Sequence, residues 1–139
     1  MIVLDTNVIA EVMRPVPEAR VMAWLRGQSL ASLATTAVSL AEINYGLFRL
    51  PRGRRRDDLE ARLRTFFARA FGDRILAFDA TAAGVYGEIV TSRQSVGRPI
   101  DAFDAMIAAI AASRAATVAT RNVADFTGCG VPIVDPWTD

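Results

Sequence analysis

Short apolar runs alternate with helix-like segments along this chain of 139 residues, and this alternation restricts the possible folds more than any other feature. Five runs have the length and composition of strands: "IVLD" at 2–5, "LASLATT" at 30–36, "RILAF" at 74–78, "ATVAT" at 116–120 and "VPIV" at 131–134. Strands that alternate with helices are joined by right-handed crossovers and pair in parallel. We therefore expect an α/β fold in which a central, mostly parallel sheet carries helices on both faces.

Helical periodicity accounts for most of the chain between these runs. The predicted helices cover residues 7–13, 18–27, 39–50, 54–73, 79–94 and 101–115. The segment 54–73 has the clearest apolar stripe, which consists of Leu59, Leu63, Phe66, Phe67 and Phe71. No repeat, linker or low-complexity tail divides the chain, and its length suits a single sizeable core. We expect one domain over residues 1–139.

The hydrophobic content of 52% and the mean hydropathy of +0.25 are both high. Such values indicate a largely buried sheet or an apolar face that a partner covers. No stretch reaches the roughly 18 apolar residues that a membrane-spanning helix requires, and the opening "MIVLD" lacks the basic segment of a signal peptide. The one cysteine, Cys129, cannot form an internal disulfide, which is compatible with a reducing compartment. We expect a cytoplasmic protein.

Two residue types are absent, and their absence excludes several classes of enzyme. The chain has no histidine, which excludes Ser-His-Asp and Cys-His triads and the usual zinc sites. All 16 basic residues are arginine, which excludes P-loop NTPases and lysine Schiff-base enzymes. The remaining reactive groups are carboxylates, hydroxyls, amides and guanidinium groups. Carboxylates without imidazole or thiolate favour a hard cation such as Mg²⁺ or Mn²⁺.

Acidic residues recur where the predicted strands end and the predicted helices begin. In a parallel α/β sheet, ligands bind outside the carboxyl ends of the strands, and Asp5 lies there because it ends the first run. Glu42 follows the second run. Its position in Ser39-Leu40-Ala41-Glu42 also matches an S-x-x-E capping box, in which the glutamate only caps its own helix. Both interpretations place Glu42 at a helix N-terminus on the same sheet edge.

Two aspartates lie at the start of the alanine-rich segment 101–115. Asp101 follows a proline and an isoleucine and matches a helix N-cap. Asp104 lies in the first turn, where the helix dipole also favours an anion for purely structural reasons. The alanines of this segment would let the helix pack closely on the sheet and so bring Asp104 to the strand ends. Asp79, which opens the preceding helix, is interpreted as another helix cap.

Asp125 lies in the stretch that follows the fourth run. Beside Asn122, it is explained either by turn chemistry alone or by a role as a further acid at the same sheet edge. Asp5, Glu42, Asp104 and Asp125 come from four separate segments, and each follows a strand or begins a helix. Carboxylates that share a pocket repel one another and raise each other's pKa unless a cation compensates them. The pattern therefore predicts a metal site.

Five stretches carry a resemblance to a known family: "MIVLDTNVIAE", "VSLAEINYGL", "IDAFDAMIAAIA", "VATRNVADF" and the closing "VDPW". In this order and at these intervals they resemble the PIN-domain ribonucleases, specifically the VapC-type toxins of toxin–antitoxin pairs and their FitB-like relatives. The resemblance covers essentially the whole chain. It implies a PIN-like fold and a metal-dependent endoribonuclease that hydrolyses RNA phosphodiester bonds and is neutralised by a cognate antitoxin.

The resemblance also implies roles for particular residues. Asp5, Glu42 and Asp104 would form an acidic core that holds Mg²⁺ or Mn²⁺, with Asp5 and Asp104 as direct ligands. The fourth acidic position falls at Asn122, which is neutral in this chain, or at Asp125. Glu42 and Asp125 would orient metal-bound waters or complete a second metal position. The surrounding pocket would be supported by Thr6, Asn7, Thr120 and Asn122.

Arginines are concentrated in one part of the chain. Residues 49–74 carry nine arginines against four acids, which makes this stretch a candidate for binding RNA phosphates. The RNA-binding candidates are Arg52, Arg54, Arg55 and Arg56. The same stretch also fits a solvated helix face with i,i+4 ion pairs, such as Asp58–Arg62 and Glu60–Arg64.

The resemblance implies a small antitoxin and an RNA substrate as partners, and a second copy of the chain in a homodimer. DNA would be bound only through the antitoxin, and no membrane is involved. Candidate antitoxin contacts are Met13, Trp24, Leu47 and Phe48, although Trp24 and Leu47 are more typical of a core. The alternative function is a catalytically weak PIN module that acts mainly in an antitoxin–DNA complex and represses its own operon.

Overall fold

In the computed structural model, residues 1–139 are all described and form five strands, seven α-helices and one 3₁₀ turn. The strands are β1 (Ile2–Leu4), β2 (Leu33–Thr36), β3 (Ile75–Leu76), β4 (Thr117–Ala119) and β5 (Ile133–Val134). The helices are α1 (Thr6–Val12), α2 (Ala19–Arg26), α3 (Ala37–Phe48), α4 (Arg54–Ala70), α5 (Ala80–Ser95), α6 (Ala102–Ser113) and α7 (Val123–Phe126). The five predicted strands and six predicted helices are all present, with shifted ends.

The five strands form one sheet in the order β3-β2-β1-β4-β5, and every neighbouring pair is parallel. The prediction of a mostly parallel sheet is confirmed, and no antiparallel pair occurs. Strand β1 lies at the centre, with Ile2 opposite Leu33 of β2 on one side and Thr117 of β4 on the other. The chain extends the sheet through β2 and β3 and then returns to the other side of β1. Such a switch point opens a crevice at the carboxyl ends of β1 and β4, where ligands bind.

Successive residues of the central strands point to opposite faces of the sheet and enter two separate cores. Val3 and Val118 pack in the first core with residues of α5, α6 and α7. Leu4 and Ala119 pack in the second core with residues of α1, α2, α3 and α4. Helices therefore cover both faces, as predicted.

Small side chains let α6 pack closely in the first core. Ala105, Ala108, Ala109 and Ala111 are all fully buried. Because α6 leads directly into β4, it runs antiparallel to the strands, and its N-terminus lies at the carboxyl edge of the sheet. The first turn of α6 is therefore at the same edge as Asp5, which follows β1.

The predicted apolar stripe of α4 faces the second core. Leu63, Phe67 and Phe71 are buried, while Leu59 and Phe66 are half-buried against the same core. The three phenylalanine rings pack with centroid distances of 5.4–6.0 Å in tilted and edge-to-face arrangements, which are favourable for aromatic pairs. The helix ends at Ala70, before the predicted residue 73, because Gly72 adopts a φ of +58° that an α-helix does not allow.

Two segments differ from the prediction. Residues Leu30–Ser32, predicted as the start of a strand, form a 3₁₀ turn in which the Ser32 amide and hydroxyl both donate to the Ser29 carbonyl. The stretch after β4, predicted as a loop, contains the short helix α7, and its Phe126 side chain is fully buried in the first core. Local hydrogen bonds stabilise the turn at Leu30–Ser32, and burial of the Phe126 ring stabilises α7. The hydrophobic pattern of these two short segments is too weak to predict either structure.

Most of the apolar side chains lie in the two cores. Leu47 is only 3% exposed and packs in the second core, which is the more typical location that the sequence analysis gave for it. Met13 and Trp24 are half-buried against the second core, whereas Phe48 is 57% exposed. None of the helices combines the length and the apolar composition that a membrane crossing would require.

Candidate active site

Asp5 lies at the carboxyl end of β1, in the crevice at the switch point, and is only 4% exposed. It is the N-cap of α1, and its Oδ1 accepts a hydrogen bond from the Thr6 amide at 2.8 Å. Its Oδ2 accepts from the Thr120 hydroxyl at 2.8 Å and from Asn7 Nδ2 at 3.2 Å. Asp5 is therefore a buried carboxylate whose two oxygens are both held by donors from the two strand ends.

The Thr120 hydroxyl connects the ends of β1 and β4. It is fully buried, donates to Asp5, and accepts from Asn7 Nδ2 at 3.2 Å and from the Asn122 amide at 3.0 Å. A hydroxyl has one donor and two acceptor positions, and all three are used here. Asn7 strengthens the connection because its Oδ1 accepts from the Arg121 amide at 3.2 Å.

The four predicted pocket residues thus meet around Asp5, but they contribute in different ways. Asn7 and Thr120 donate to Asp5 from their side chains, and Thr6 donates from its backbone amide while its hydroxyl binds Glu42. Asn122 reaches this network only through its backbone amide, which donates to Thr120. The Asn122 side chain is exposed and makes no hydrogen bond within the chain.

Glu42 lies in the second turn of α3, and the capping-box interpretation is wrong. The N-cap of α3 is Thr36, whose hydroxyl accepts from the Ser39 amide at 3.0 Å, so the helix begins before Ser39. Glu42 is therefore inside the helix and free of any capping role. Its Oε1 accepts a hydrogen bond of 2.7 Å from the Thr6 hydroxyl, which ties α3 to the start of α1.

The aspartates at the start of α6 have separate functions. Asp101 is the N-cap, as predicted, and accepts from the Phe103 amide at 3.1 Å. Asp104 lies in the first turn, also as predicted, and its half-buried carboxylate accepts no hydrogen bond. Asp79 caps α5 through the Ala82 amide at 3.0 Å, which confirms its predicted role.

The carboxylates at this edge raise one another's pKa values. Burial is the main cause that raises the pKa of Asp104 to about 7, and the charges of four other acids add to it. These four acids are Asp5, Asp125, Asp101 and Glu42. Burial likewise raises the pKa of Glu42 and of Asp5, although hydrogen bonds from Thr6 to Glu42 and from Thr120 and Thr6 to Asp5 oppose the effect. The acids therefore lie close together, and among them the carboxylates of Asp104 and Asp125 accept no hydrogen bond.

Asp101 belongs to this group as well as to its helix cap, because its charge raises the pKa of both Glu42 and Asp104. Its position in the sequence mainly indicated the capping role. The spacing of Asp101 and Asp104, three residues apart at a helix start, was the signal for a shared location.

The donor set suits a hydrated hard cation. The acids supply only oxygen, and no three of them lie close enough to enclose one ion. Mg²⁺ normally keeps several of its waters and binds proteins through one or two carboxylates, so a closed cage of three acids is not required.

An apolar groove of about 340 Å³ begins at the acidic crevice. It runs between α1, α3 and α4, and its lining includes Thr6, Ile9, Glu42, Ile43, Gly46 and Leu63. A side chain added at Gly46 would meet no atom within 4 Å. The groove therefore has room for an additional apolar group that approaches along α3.

The arginine candidates lie at the N-terminus of α4, separate from the acidic network. Because α4 leads into β3, its N-terminus is at the same carboxyl edge of the sheet. Arg52, Arg54 and Arg55 are exposed, and Arg56 lies 4.7 Å from the centre of the Phe48 ring; none of the four forms an ion pair. Further along α4, Glu60 and Arg64 pair at 3.3 Å, as predicted, whereas the predicted pair between residues 58 and 62 does not form.

Comparison with known proteins gives a consistent result over the whole chain. A family model described as "PIN domain" matches residues 2–126. The chain is 39% identical to "Toxin FitB" of Neisseria gonorrhoeae over 139 residues, covering all of both chains. It is 36% identical to "VapC ribonuclease Y4jK" of Sinorhizobium fredii over 137 residues, covering 99% of this chain and 98% of that protein. The structure titled "FitAB bound to IR36 DNA fragment" superposes with a TM-score of 0.93 at 38% identity, covering 99% of this chain and 96% of that one.

We expect Asp104→Asn to stabilise the metal-free protein above neutral pH. Folding raises the pKa of Asp104 from 3.8 to about 7, so the folded state binds the proton more tightly and loses stability as pH rises between these values. Removing the charge should raise Tm by roughly 2–4 °C at pH 8 and have no effect near pH 4. Thermal unfolding in EDTA measures the difference. Asp73→Asn is the control, because Asp73 is 98% exposed and should leave Tm unchanged at both pH values. Equal Tm values for wild type and Asp104→Asn at pH 8 would contradict the mutual repulsion.

Proposed function

Since this chain belongs to the PIN-domain family, we propose that it is a divalent-metal-dependent endoribonuclease and the toxin of a toxin–antitoxin pair. The observation that carries the proposal is the cluster of carboxylates at the switch point, in which burial and the charges of neighbouring acids raise the pKa of Asp104 to about 7. Relatives that align over nearly the full chain are named as a toxin and as a ribonuclease. A cytoplasmic location follows, since the RNA substrate is there.

Asp5 and Asp104 would hold the Mg²⁺ or Mn²⁺ ion, with Glu42 and Asp125 as acceptors for its bound waters. Such an ion stabilises charge on phosphoryl oxygens and lowers the pKa of an attacking water. Thr120 and Thr6 keep the carboxylates of Asp5 and Glu42 in fixed orientations. The chain has no histidine to activate a ribose 2′-hydroxyl, so hydrolysis by water should leave a 5′-phosphate and a 3′-hydroxyl.

We expect Asp5→Asn and Thr120→Val to lose nuclease activity to different degrees. Asp5→Asn removes a proposed ligand, and activity should fall by more than about 100-fold. Thr120→Val keeps the shape of the side chain but removes the hydroxyl that orients Asp5, and losses of this kind are about 10–100-fold. Purified protein, freed of any small partner, is incubated with total bacterial RNA in Mg²⁺, Mn²⁺ or EDTA, and fragment ends are mapped.

Asp73→Asn serves again as the matched control and should cleave like wild type. Cyclic-phosphate ends would contradict hydrolysis by water. Intact RNA under every condition, from folded and partner-free protein, would favour the alternative of a catalytically weak module that acts in an antitoxin–DNA complex.

The arginines at the start of α4 are proposed to bind RNA phosphates beside the acidic crevice. They are unpaired and lie at the same sheet edge, so RNA that crosses this edge would pass them. We expect the double variant Arg54→Gln/Arg55→Gln to bind RNA more weakly. The slope of log K against log salt concentration should become shallower by about 1.4, because each lost contact with a phosphate of single-stranded RNA contributes about 0.7. Fluorescence anisotropy with labelled RNA in the Asp104→Asn background measures this.

Arg26→Gln/Arg114→Gln is the control for charge. Both residues are exposed and lie at the ends of helices that lead into strands, at the opposite edge of the sheet. An equal loss of affinity in both double variants would show that total charge, and no particular surface, governs RNA binding.

The apolar groove between α1, α3 and α4 is proposed as the antitoxin site. Most of its lining is apolar, yet it ends at Thr6 and Glu42, so a segment bound along it would also cover the acidic crevice. The VapC and FitB relatives form toxin–antitoxin complexes, some of them bound to DNA. We propose that this chain, too, pairs as a homodimer and contacts DNA only through its antitoxin.

We expect Gly46→Phe to abolish antitoxin binding without unfolding the protein. Gly46 is helical and exposed, and a Cβ atom added there meets no atom within 4 Å, so a phenylalanine side chain would begin in open space at the edge of the groove. Gly87→Phe on α5 is the matched control, because that position is equally open but lies outside the groove. Light scattering after co-purification with the antitoxin gives the mass of each complex. A normal complex with Gly46→Phe would exclude this groove, and a free mass of 15.0 kDa would contradict the homodimer.

A further inference from the structure

Arg93, near the C-terminus of α5, is a buried cation that none of the proposed catalytic steps uses. It is only 6% exposed and has no carboxylate partner. Its Nε donates to the Arg98 carbonyl at 2.7 Å, and its Nη1 donates to the carbonyls of Asp125 at 2.8 Å and Thr127 at 2.9 Å. The same Nη1 lies 3.6 Å from the Cys129 thiol. The guanidinium therefore joins α5 to the turn that follows it and to the segment that contains α7.

Such an arrangement is costly unless it is well compensated. Removing a charge from water has a penalty of several kcal/mol, and polar partners must offset it. The partners of Arg93 are backbone carbonyls and one thiol, so the charge is compensated only while these segments keep their positions. The planar guanidinium, with five donors in a fixed geometry, suits this task better than a lysine ammonium.

The segment that Arg93 holds cannot maintain its own shape. Helix α7 has four residues, and isolated helices of that length are not stable in water. Its start is held by the Asn122 amide, which donates to Thr120. The rest of the helix is held by the buried Phe126 ring and by the two carbonyls bound by Arg93, which belong to the residues on either side of Phe126. The orientation of α7 therefore depends on Arg93.

Asp125 is the acid carried by this segment. It lies in the first turn of α7, which begins directly after Asn122, and the Asn122 amide donates to the Thr120 hydroxyl that also binds Asp5. The exposed Asp125 side chain is close enough for its charge to raise the pKa of both Asp5 and Asp104. Asn122, the other candidate for the fourth acidic position, contributes only its backbone amide.

We propose that Arg93 is a positioning residue for the acidic site: by binding the Asp125 and Thr127 carbonyls, it holds the Asp125 carboxylate toward Asp104 as the fourth acid. The inference rests on the proposed metal-dependent nuclease function and assigns the residue that completes its site. Arg93 touches neither substrate nor ion and acts through the backbone of α7.

A double-mutant cycle separates positioning from a general contribution to folding. The variants are Arg93→Met, Asp125→Asn and their combination, and the readouts are Mn²⁺ affinity by calorimetry and cleavage of a labelled RNA. Each single change should weaken Mn²⁺ binding about tenfold. The double variant should bind Mn²⁺ within about twofold of Asp125→Asn, because Arg93 has nothing left to position once that carboxylate is gone.

Ile89→Ala is the control for stability. Ile89 is buried on the same helix, in the first core, and its truncation destabilises the fold without touching the carbonyls of α7. Its Mn²⁺ affinity should match wild type. Arg93→Lys provides a second variant if Arg93→Met does not fold, and it should show the same loss because a lysine cannot reach three carbonyls in the same geometry.

The outcomes are distinguishable. If wild type neither binds Mn²⁺ nor cleaves RNA, the proposed function fails and the inference fails with it. If wild type does both, but the effects of Arg93→Met and Asp125→Asn multiply, or Asp125→Asn has no effect, only the inference is overturned. A loss of Mn²⁺ affinity in Ile89→Ala equal to that in Arg93→Met would also overturn it.

Discussion

The hydrogen bond between the Thr120 hydroxyl and the Asp5 carboxylate, 2.8 Å long, is the contact on which the candidate site depends. It joins the ends of β1 and β4, the two strands between which the order of the sheet reverses. Asp5 is buried there only because donors hold both its oxygens, and each donor comes from an element that starts or ends at this edge. The parallel sheet and the acidic crevice are therefore parts of one arrangement: the strand register determines where the donors lie, and the donors allow a carboxylate to be buried.

Much of this was predictable from the sequence, for reasons that are local. The alternation of apolar runs predicts the parallel sheet, and Asp79 and Asp101 are helix caps because their position before a helix is a strong signal. Where two local signals compete, the sequence is ambiguous: Thr36 and Ser39 can both cap α3, and Thr36 does so because the chain leaves β2 there. Arg93 has no local signal at all. Its partners are backbone carbonyls up to 34 residues away, and carbonyls look the same at every position in a sequence.

The carboxylates at this sheet edge are close enough to repel one another, but no three of them are close enough to enclose an ion. Such an arrangement lowers the stability of the metal-free protein, and natural proteins commonly accept this at sites where function needs it. The destabilised groups lie on rigid supports. Asp104 is carried by α6, whose fully buried alanines fix it in the first core, and Glu42 is held by Thr6. The backbone therefore does not move to relieve the repulsion between these carboxylates.

Burial raises the pKa of both Asp5 and Asp104, but the two carboxylates differ in their hydrogen bonding. Every donor near Asp5 points at one of its oxygens, so a proton there would displace an existing bond. Asp104 accepts no hydrogen bond and has a pKa of about 7, so at neutral pH it is the acid that exchanges a proton with solvent. A divalent cation held by Asp104, as proposed, would take the place of that proton. Occupancy of the proposed site would then be coupled to the acidity of the surroundings, because a proton and a cation would compete for the same carboxylate.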